Sequence, residues 1–214
     1  MKYLRYGEDG IRVVFGDTID LEVNEKVRRF YFFVKSLELR EIIDITPSFC
    51  SCLICFNNMA ISFKDLTSLL LKKTVDIESV ALPMPVTHEI PVIYGEENGP
   101  DMEFISAYSG LTKDEIIKIH TATVYTVFSI GFMPGFPYLG TLDKRLYAPR
   151  LETPRVRVPK GSVGLAQLQT GIYTFESPGG WRIIGKTETT LFDYRKKPYS
   201  VLGIGDKVRF INIC

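Results

Sequence analysis

Glycine and proline are concentrated in one short region of the chain. Residues 131–180 hold eight of the 17 glycines and six of the 12 prolines, whereas the segment from Thr18 to Leu82 contains only Pro47. Glycine permits positive φ angles and close backbone approach, and proline fixes its own φ without donating a backbone hydrogen bond. The region is therefore predicted to form irregular but rigid loops, and the two halves of the chain are predicted to fold differently.

The first third of the chain alternates predicted strands and helices. Val23, Val27 and Phe30 recur at spacings of three or four residues, which is typical of the buried face of a helix. The predicted elements are strands at 2–6 and 11–15, a helix at 20–37, strands at 41–46 and 49–56, and a helix that begins at Ser62. This order, β-β-α-β-β-α, predicts a small α/β domain in which two helices cover one sheet.

A stiff Leu-Pro-Met-Pro segment at residues 82–85 marks the predicted domain boundary, because proline disfavours helix at its own position and at the position before it. The predicted domains are residues 1–84 and 85–214. After two short predicted helices, β-branched and aromatic residues become frequent from Thr123 onward, and turn signals recur about every 8 to 15 residues. This pattern predicts a mainly β second domain, either a barrel or a sandwich.

Charge and hydropathy exclude several classes of partner. The chain carries 26 basic and 25 acidic residues, a formal net charge of +1, and this balance does not favour a nucleic acid partner. The first residues lack the apolar core of a signal peptide, and no run approaches the ~18 apolar residues that a membrane span needs. We therefore expect a cytoplasmic protein that binds neither membranes nor nucleic acid.

Familiar catalytic and cofactor motifs are absent from the sequence. There is no G-x-x-x-x-G-K-[ST] phosphate loop, no G-x-G-x-x-G after a strand, no G-x-S-x-G and no H-E-x-x-H. Only two histidines, His88 and His120, are present, so a histidine-rich metal site is not expected. Any use of ATP would depend on an unusual site or on a partner.

Cys50, Cys52 and Cys55 form a C-x-C-x-x-C cluster of the kind that metal and redox sites use. In a strand, Cys50 and Cys52 would share one face and Cys55 would point to the other, so the three thiols would not converge. We therefore interpret these cysteines as small buried apolar residues and expect no metal here.

The loops of residues 131–180 are the strongest candidate for a binding surface. Irregular loops held on a rigid barrel often form binding sites, and aromatic walls suit a small-molecule pocket. The residues predicted to form the pocket or to contact a partner are Phe132, Pro134, Gly135, Phe136, Tyr138 and Trp181. The alternative is that these turns shape the barrel and that the aromatic side chains fill its core.

Basic residues are enriched within this loop region. Between Asp143 and Lys160 there are six basic and two acidic residues. Arg155 and Arg157 alternate with valines, so both guanidinium groups would project from one strand face and could bind a carboxylate or a phosphate. The alternative is a charged strand edge that faces solvent.

Other side chains in the second domain are candidates for chemistry. His120 ends a predicted helix and is a candidate general base or proton shuttle, or else a residue that balances the helix dipole. Gln169 and Thr170 are candidates to hydrogen-bond an amide or lactam and for a catalytic role, or else ordinary turn residues. The remaining candidates are Tyr173 for catalysis and Ser177, Gly179 and Gly180 for substrate binding, although nothing in the sequence pairs Ser177 with a base.

Four long motifs make the sequence recognisable. They are Ser129-Ile-Gly-Phe-Met-Pro-Gly-Phe-Pro-Tyr-Leu139, Thr153-Pro-Arg-x-Arg-Val-Pro-x-Gly-Ser-Val-Gly164, Gln169-Thr-Gly-Ile-Tyr173 and Glu176-Ser-Pro-Gly-Gly-Trp-x-Ile-Ile-Gly185. Because of these motifs, the chain is similar to the family of the B-type subunit of the ATP-dependent bacterial 5-oxoprolinase. The resemblance extends over nearly the whole chain. The same family includes proteins called allophanate hydrolase subunit 1 and the sporulation kinase A inhibitor.

The resemblance implies a ferredoxin-like α/β domain followed by a cyclophilin-like β-barrel domain. It also implies an enzyme subunit that is inactive alone and that needs the A-type and C-type subunits of 5-oxoprolinase to convert 5-oxoproline to glutamate with ATP hydrolysis. Fused relatives form the carboxyltransferase part of biotin-dependent urea amidolyase. This chain lacks a lysine-centred biotin attachment motif, so no covalently attached biotin is expected.

Two functions from different classes are therefore open. The leading hypothesis is the 5-oxoprolinase subunit, in which Arg155 and Arg157 hold a small anionic amide or lactam and Gln169 and Thr170 orient its carbonyl. The rival is a regulatory protein that docks on a sensor histidine kinase and inhibits it. A subunit of the allophanate hydrolase or urea amidolyase type is a further alternative. Peptidyl-prolyl isomerase activity would rest on fold analogy alone.

Overall fold

The computed structural model describes residues 1–73 and 77–213. The chain divides into two compact units, Met1–Met84 and Pro85–Cys214, and the boundary lies inside the Leu-Pro-Met-Pro segment. Each unit has its own hydrophobic core. Within the described residues, no helix combines the length and the apolar character needed to cross a membrane.

Within its described residues, the first unit contains four strands and two α-helices, besides the short 3₁₀-helix Ile77–Ser79. They are β1 (Lys2–Tyr6), β2 (Gly10–Val14), α1 (Leu21–Ser36), β3 (Ile42–Pro47), β4 (Ser51–Phe56) and α2 (Phe63–Lys73). The strands form one sheet in the order β1-β2-β4-β3, and every neighbouring pair is antiparallel. The predicted order of elements, β-β-α-β-β-α, is confirmed. The prediction was possible because the hydrophobic period of each element depends only on residues that are close in the sequence.

Helix α1 covers this sheet through one apolar face. Val27, Phe30 and Val34 are buried in the core of the unit, as their spacing predicts. Asp20 caps the helix, because its carboxylate accepts a hydrogen bond from the Val23 amide at 2.8 Å. The helix is therefore held at its start by the cap and along its length by packing.

The three central cysteines do not share one environment. Cys52 lies on the buried side of β4, whereas Cys55 is half-buried and Cys50 precedes the strand. Among the residues that the structure describes, no cluster of side chains could hold a metal ion. Burial, helped by the charge of Asp44, raises the pKa of Cys52 to about 12. Cys52 is therefore an apolar core residue in practice.

As far as it is described, the second unit is a closed barrel with two α-helices, a short 3₁₀-helix (Lys144–Leu146) and a separate two-stranded ribbon. Its elements are β5 (Thr87–Tyr94), α3 (Met102–Ser109), α4 (Lys113–Ala122), β6 (Val124–Ile130), β7 (Pro137–Gly140), β8 (Arg155–Val158), β9 (Ser162–Ala166), β10 (Gln169–Ile172), β11 (Ser177–Gly179), β12 (Arg182–Lys186) and β13 (Lys207–Asn212). The barrel order is β10-β7-β6-β13-β5-β12-β9, and pairing of β9 with β10 closes it. Strands β8 and β11 form the ribbon.

Two apolar clusters fill the second unit. The larger is the barrel interior, to which α4 contributes Ile116 and to which α3 contributes Ile105. The smaller combines residues of β8, β9 and β12 with aromatic residues of the glycine- and proline-rich loops; its buried members are Phe136, Val158, Ala166, Tyr173, Trp181 and Ile183. The ribbon and these loops therefore pack together as a second layer.

We expect Cys52 to resist alkylation in the folded protein, since the thiolate is the reactive form and burial keeps this thiol protonated. Treatment with iodoacetamide at pH 8, followed by peptide mass spectrometry, should modify Cys50 and Cys55 well before Cys52. In urea, all three should react. Equal rates for Cys52 and Cys55 in the folded protein would contradict the buried position of Cys52.

Candidate active site

A cavity in the second unit brings together residues that are far apart in the sequence. Its volume is about 300 Å³, at the lower end of the range for small-molecule sites. Six of the predicted candidates line it: Phe132, Tyr138, Tyr173, Gly179, Gly180 and Trp181. The other lining residues, which the sequence does not single out, are Arg150, Leu151, Pro154 and Pro178.

Phe136 supports the wall of the cavity from behind. It is 1% exposed and makes edge-to-face contacts with Tyr138, Tyr173 and Trp181, with ring centroids 4.9 to 5.4 Å apart. Gly171 leaves room for this cluster, because a Cβ there would lie 2.9 Å from the Phe136 ring. Phe136 is therefore a core residue, as the alternative interpretation of this loop predicts, and it does not line the cavity.

Pro134 and Gly135 form a turn that lies outside the cavity lining. The Thr174 hydroxyl donates a hydrogen bond to the Pro134 carbonyl at 2.7 Å. Gly135 has a φ of +76°, and a Cβ there would meet the Phe192 side chain at 2.6 Å. The turn fixes the loop in one conformation, which leaves Phe132 exposed at the edge of the cavity.

Two tyrosines form part of the cavity wall. The Tyr173 hydroxyl is buried and has no hydrogen-bond partner among the described residues; the Trp181 backbone approaches it without hydrogen-bond geometry. Burial raises the pKa of Tyr173 and that of Tyr138, so both phenols remain protonated at neutral pH. Gly179 permits this placement, because a Cβ there would clash with the Tyr173 hydroxyl.

Arg155 and Arg157 both lie on β8, but each is already paired with a carboxylate of the chain. Arg155 forms a two-point ion pair with Asp101, with nitrogen–oxygen distances of 2.9 Å. Arg157, which is largely exposed, pairs with Glu176 at 2.6 Å. Neither lines the cavity. An anionic ligand at this pair would have to displace the chain's own carboxylates, so the expected anion clamp does not fit the geometry.

Asp101, which the sequence predicts only as part of a helix start, is the central anchor of this region. Its carboxylate is buried, accepts a hydrogen bond from the Ile183 amide at 2.6 Å, and lies 3.5 Å from the Arg182 guanidinium. Arg182 in turn stacks over the Phe104 ring at 3.5 Å. With the Arg155 pair, these contacts connect the start of α3 to β8 and to β12.

His120 is enclosed in the barrel core and does not reach the cavity. Its Nδ1 lies 2.7 Å from the Tyr94 hydroxyl, and its Nε2 lies 3.0 Å from the Thr170 hydroxyl. Thr170 donates its own proton to the Gly164 carbonyl, so a neutral imidazole with the proton on Nε2 satisfies every partner. Burial lowers the pKa of His120 to about 3. A general base and a charged partner for the helix dipole are both inconsistent with this environment.

Thr170, Gln169 and Ser177 are also placed away from the cavity lining. Thr170 is fully buried beside His120 and cannot contact a ligand in the cavity. Gln169, its neighbour in β10, is 5% exposed, and its Nε2 has no partner among the described residues. The Ser177 hydroxyl donates to the Pro178 carbonyl at 3.1 Å, and among the described residues it forms no hydrogen bond with a histidine or a carboxylate. These positions do not assemble a nucleophile with a base.

Arg150 differs from the other arginines of the region. It lines the cavity, is exposed, and forms no ion pair or hydrogen bond with any residue that the structure describes. Its charge acts on both cavity phenols, opposing the effect of burial on their pKa values. Sequence reasoning counted Arg150 in the basic segment but did not select it. In the structure, the other arginines of that segment are paired with carboxylates, and the sequence does not show this difference.

The site therefore has the character of a binding pocket. It offers aromatic walls, the backbone of two glycines and one guanidinium that has no partner among the described residues. No acidic side chain lines it, and the described part of the chain places no nucleophile–base pair there. Such a pocket suits a small anion with a flat or apolar body.

Comparisons with known proteins agree with the motifs quoted above. A sequence model of the family described as "Carboxyltransferase domain, subdomain C and D" matches residues 1–202. A protein of Bacillus subtilis that is named as the B-type subunit of 5-oxoprolinase is 38% identical over 97% of this chain and 90% of that protein. The protein of the same name from Haemophilus influenzae is 50% identical over 58% of each chain.

A solved structure also resembles this one closely. The crystal structure of TTHA0988 superposes with a TM-score of 0.83 and 28% sequence identity, and it covers 96% of this chain. The present chain spans only 40% of the TTHA0988 chain. The fold described here therefore also occurs as one part of a longer polypeptide.

Stability should depend on pH through His120. In the native state this residue stays neutral down to about pH 3, whereas in the unfolded chain it binds a proton below about pH 6.5. Stabilisation is therefore complete above pH 6.5 and is lost as pH falls, by about 2 kcal/mol between pH 8 and pH 5. His120→Gln keeps a donor and an acceptor but does not titrate. The difference in unfolding free energy between wild type and variant should shrink by that amount, and a constant difference would contradict the neutral buried imidazole.

Loss of the Asp101 carboxylate should lower the free energy of unfolding far more than loss of the Glu176 carboxylate, although each pairs with one arginine of β8. Asp101→Asn removes a buried charge that two arginines share, and we expect it to lower the free energy of unfolding by about 3 kcal/mol. Glu176→Gln is the matched control at the exposed pair and should leave stability unchanged. Urea unfolding followed by circular dichroism measures both. Equal effects would show that Asp101 is not an anchor.

Proposed function

Because this chain belongs to the family of carboxyltransferase domains of the subdomain C and D type, we propose that it is the B-type subunit of a multisubunit, ATP-dependent 5-oxoprolinase. Together with the A-type and C-type subunits, it would convert 5-oxoproline to glutamate with hydrolysis of ATP. The observation that carries this proposal is the 38% identity to the Bacillus subtilis 5-oxoprolinase protein over 97% of the chain.

The architecture of the cavity supports a role that depends on partners. The cavity offers binding groups but no nucleophile paired with a base among its described lining residues. Opening a lactam at neutral pH requires activation of both the carbonyl and the attacking group. We therefore propose that the chain is inactive alone, that it holds or positions a small ligand, and that bond-breaking groups come from the A-type and C-type subunits.

ATP does not fit the groups that this cavity presents. Known ATP sites hold the phosphates with a glycine-rich loop, a lysine and Mg²⁺, whereas this cavity has one unpaired guanidinium, and no phosphate-loop motif occurs in the sequence. We propose that ATP is bound by another subunit of the assembly. The residues of this chain would then act on the organic substrate alone.

The finer fold assignments are also proposals. In the first unit, β2 and β3 flank β4 and are joined through α1, which is the split β-α-β arrangement of ferredoxin-like folds. We propose a ferredoxin-like unit in which the edge strand β1 comes first in the chain. For the second unit, the closed barrel and the family membership support the cyclophilin-like assignment.

Reconstitution tests the proposed function directly. The A-type and C-type subunits should hydrolyse 5-oxoproline and ATP together only when this chain is added, because the substrate would otherwise lack part of its site. Glutamate and phosphate release are measured with and without the chain, and an unrelated protein of similar mass serves as the control. Turnover that is unchanged when the chain is omitted would overturn the proposal.

A further inference from the structure

The arginines around the cavity differ in whether a carboxylate of the chain already binds them. Three arginines of this region are already bound to carboxylates of the chain: Arg155 and Arg182 share Asp101, and Arg157 pairs with Glu176. Further along the same basic segment, Arg145 pairs with Asp143 at 2.7 Å. Arg150 has no such partner among the described residues and is the arginine that lines the cavity.

The backbone on both sides of Arg150 is fixed. Before it in the chain, Ala148 forms an isolated β-bridge with Gln167, and the Pro149 carbonyl accepts a hydrogen bond from Arg182 at 3.3 Å. After it, the Leu151 amide donates a hydrogen bond to the Gly180 carbonyl at 2.8 Å. The base of the side chain is therefore held beside the cavity, and binding would cost the entropy of one side chain rather than that of a loop.

The surrounding groups complement a single negative charge. Tyr173 lines the cavity with its ring, and its buried hydroxyl has no hydrogen-bond partner among the described residues. No carboxylate belongs to the lining, so nothing there would repel an anion. One guanidinium suits one carboxylate, which it can bind through two parallel hydrogen bonds.

The walls limit the rest of the ligand. Trp181 and Tyr138 supply aromatic surface, and Gly179 and Gly180 expose backbone that side chains do not cover. A volume of about 300 Å³ admits a small ring or short chain, and a ligand with several charges would leave most of them without partners.

We propose that Arg150 is the specificity-determining residue of this cavity and binds the carboxylate of a small monoanionic ligand whose ring or chain packs on Trp181 and Tyr138. The inference rests on the proposed function only for the choice of 5-oxoproline as that ligand. It replaces the Arg155 and Arg157 pair as the site of anion recognition.

The single tryptophan of the chain makes binding measurable. Trp181 lines the cavity, so a ligand that enters it should change the tryptophan fluorescence of the purified chain. We expect 5-oxoproline to give a saturable change and 2-pyrrolidinone, the same lactam without the carboxylate, to bind at least tenfold more weakly. Arg150→Gln should weaken 5-oxoproline binding about tenfold or more and remove the preference over 2-pyrrolidinone, while Arg150→Lys should retain part of it.

Arg145→Gln is the matched control. It removes the same charge from the same basic segment, but this guanidinium is paired with Asp143 and lies outside the cavity. Binding by this variant should equal that of the wild type. Thermal unfolding of Arg150→Gln should also match the wild type, because Arg150 is exposed and makes no contact that folding needs.

In the reconstituted complex, Arg150→Gln should raise the KM for 5-oxoproline about tenfold and change kcat less than twofold. An unchanged KM in an active complex would overturn the role of Arg150 and leave the proposed function standing. The purified chain could instead bind 5-oxoproline through Arg150 and yet add nothing to turnover of the complex. That result would support Arg150 as the carboxylate-binding residue and overturn the proposed function. Equal binding of 5-oxoproline and 2-pyrrolidinone by the wild type would overturn the anchor.

Discussion

The second unit depends on the buried carboxylate of Asp101. It receives the Ile183 amide and the guanidinium groups of Arg155 and Arg182, and so holds three segments that are distant in sequence. Removing any one of these partners would leave charge in a poorly solvated place, which is costly. Trp181 directly precedes Arg182, and its carbonyl lies 3.5 Å from Arg155. The wall of the cavity is therefore fixed by the same interaction that joins β8 to β12.

Local signals in the sequence were enough to predict the elements of the first unit and the aromatic wall of the cavity. The spacing of Val27 and Phe30 reports a helix face because helix geometry repeats every 3.6 residues. Likewise, Gly171 and Gly179 indicate places where aromatic side chains pack directly on the backbone, because a Cβ at either position would collide with them. The helix signal depends only on the spacing of nearby apolar residues. The glycine signal depends only on the absence of a Cβ, which the sequence states directly.

The partners of charged and polar side chains could not be predicted in the same way. Asp101 and Arg155 are 54 positions apart, and His120 and Thr170 are 50 apart, so their pairing appears only when the barrel closes. Closure changes what each residue can do. A histidine at the end of a helix suggests a proton carrier, yet burial with Tyr94 and Thr170 keeps it neutral.

The same pairing explains how a chain of nearly zero net charge can recognise an anion. What matters is which cation lacks a partner. A ligand carboxylate at Arg155 would have to break the two-point ion pair with Asp101 and leave that carboxylate buried with fewer compensating groups, so the binding energy would be offset by damage to the fold. At Arg150 the cost is the partial desolvation of one exposed guanidinium. Carboxylates of the chain thus hold Arg155, Arg157 and Arg182 in ion pairs. Arg150 has no such partner among the described residues and lies where an anion can reach it.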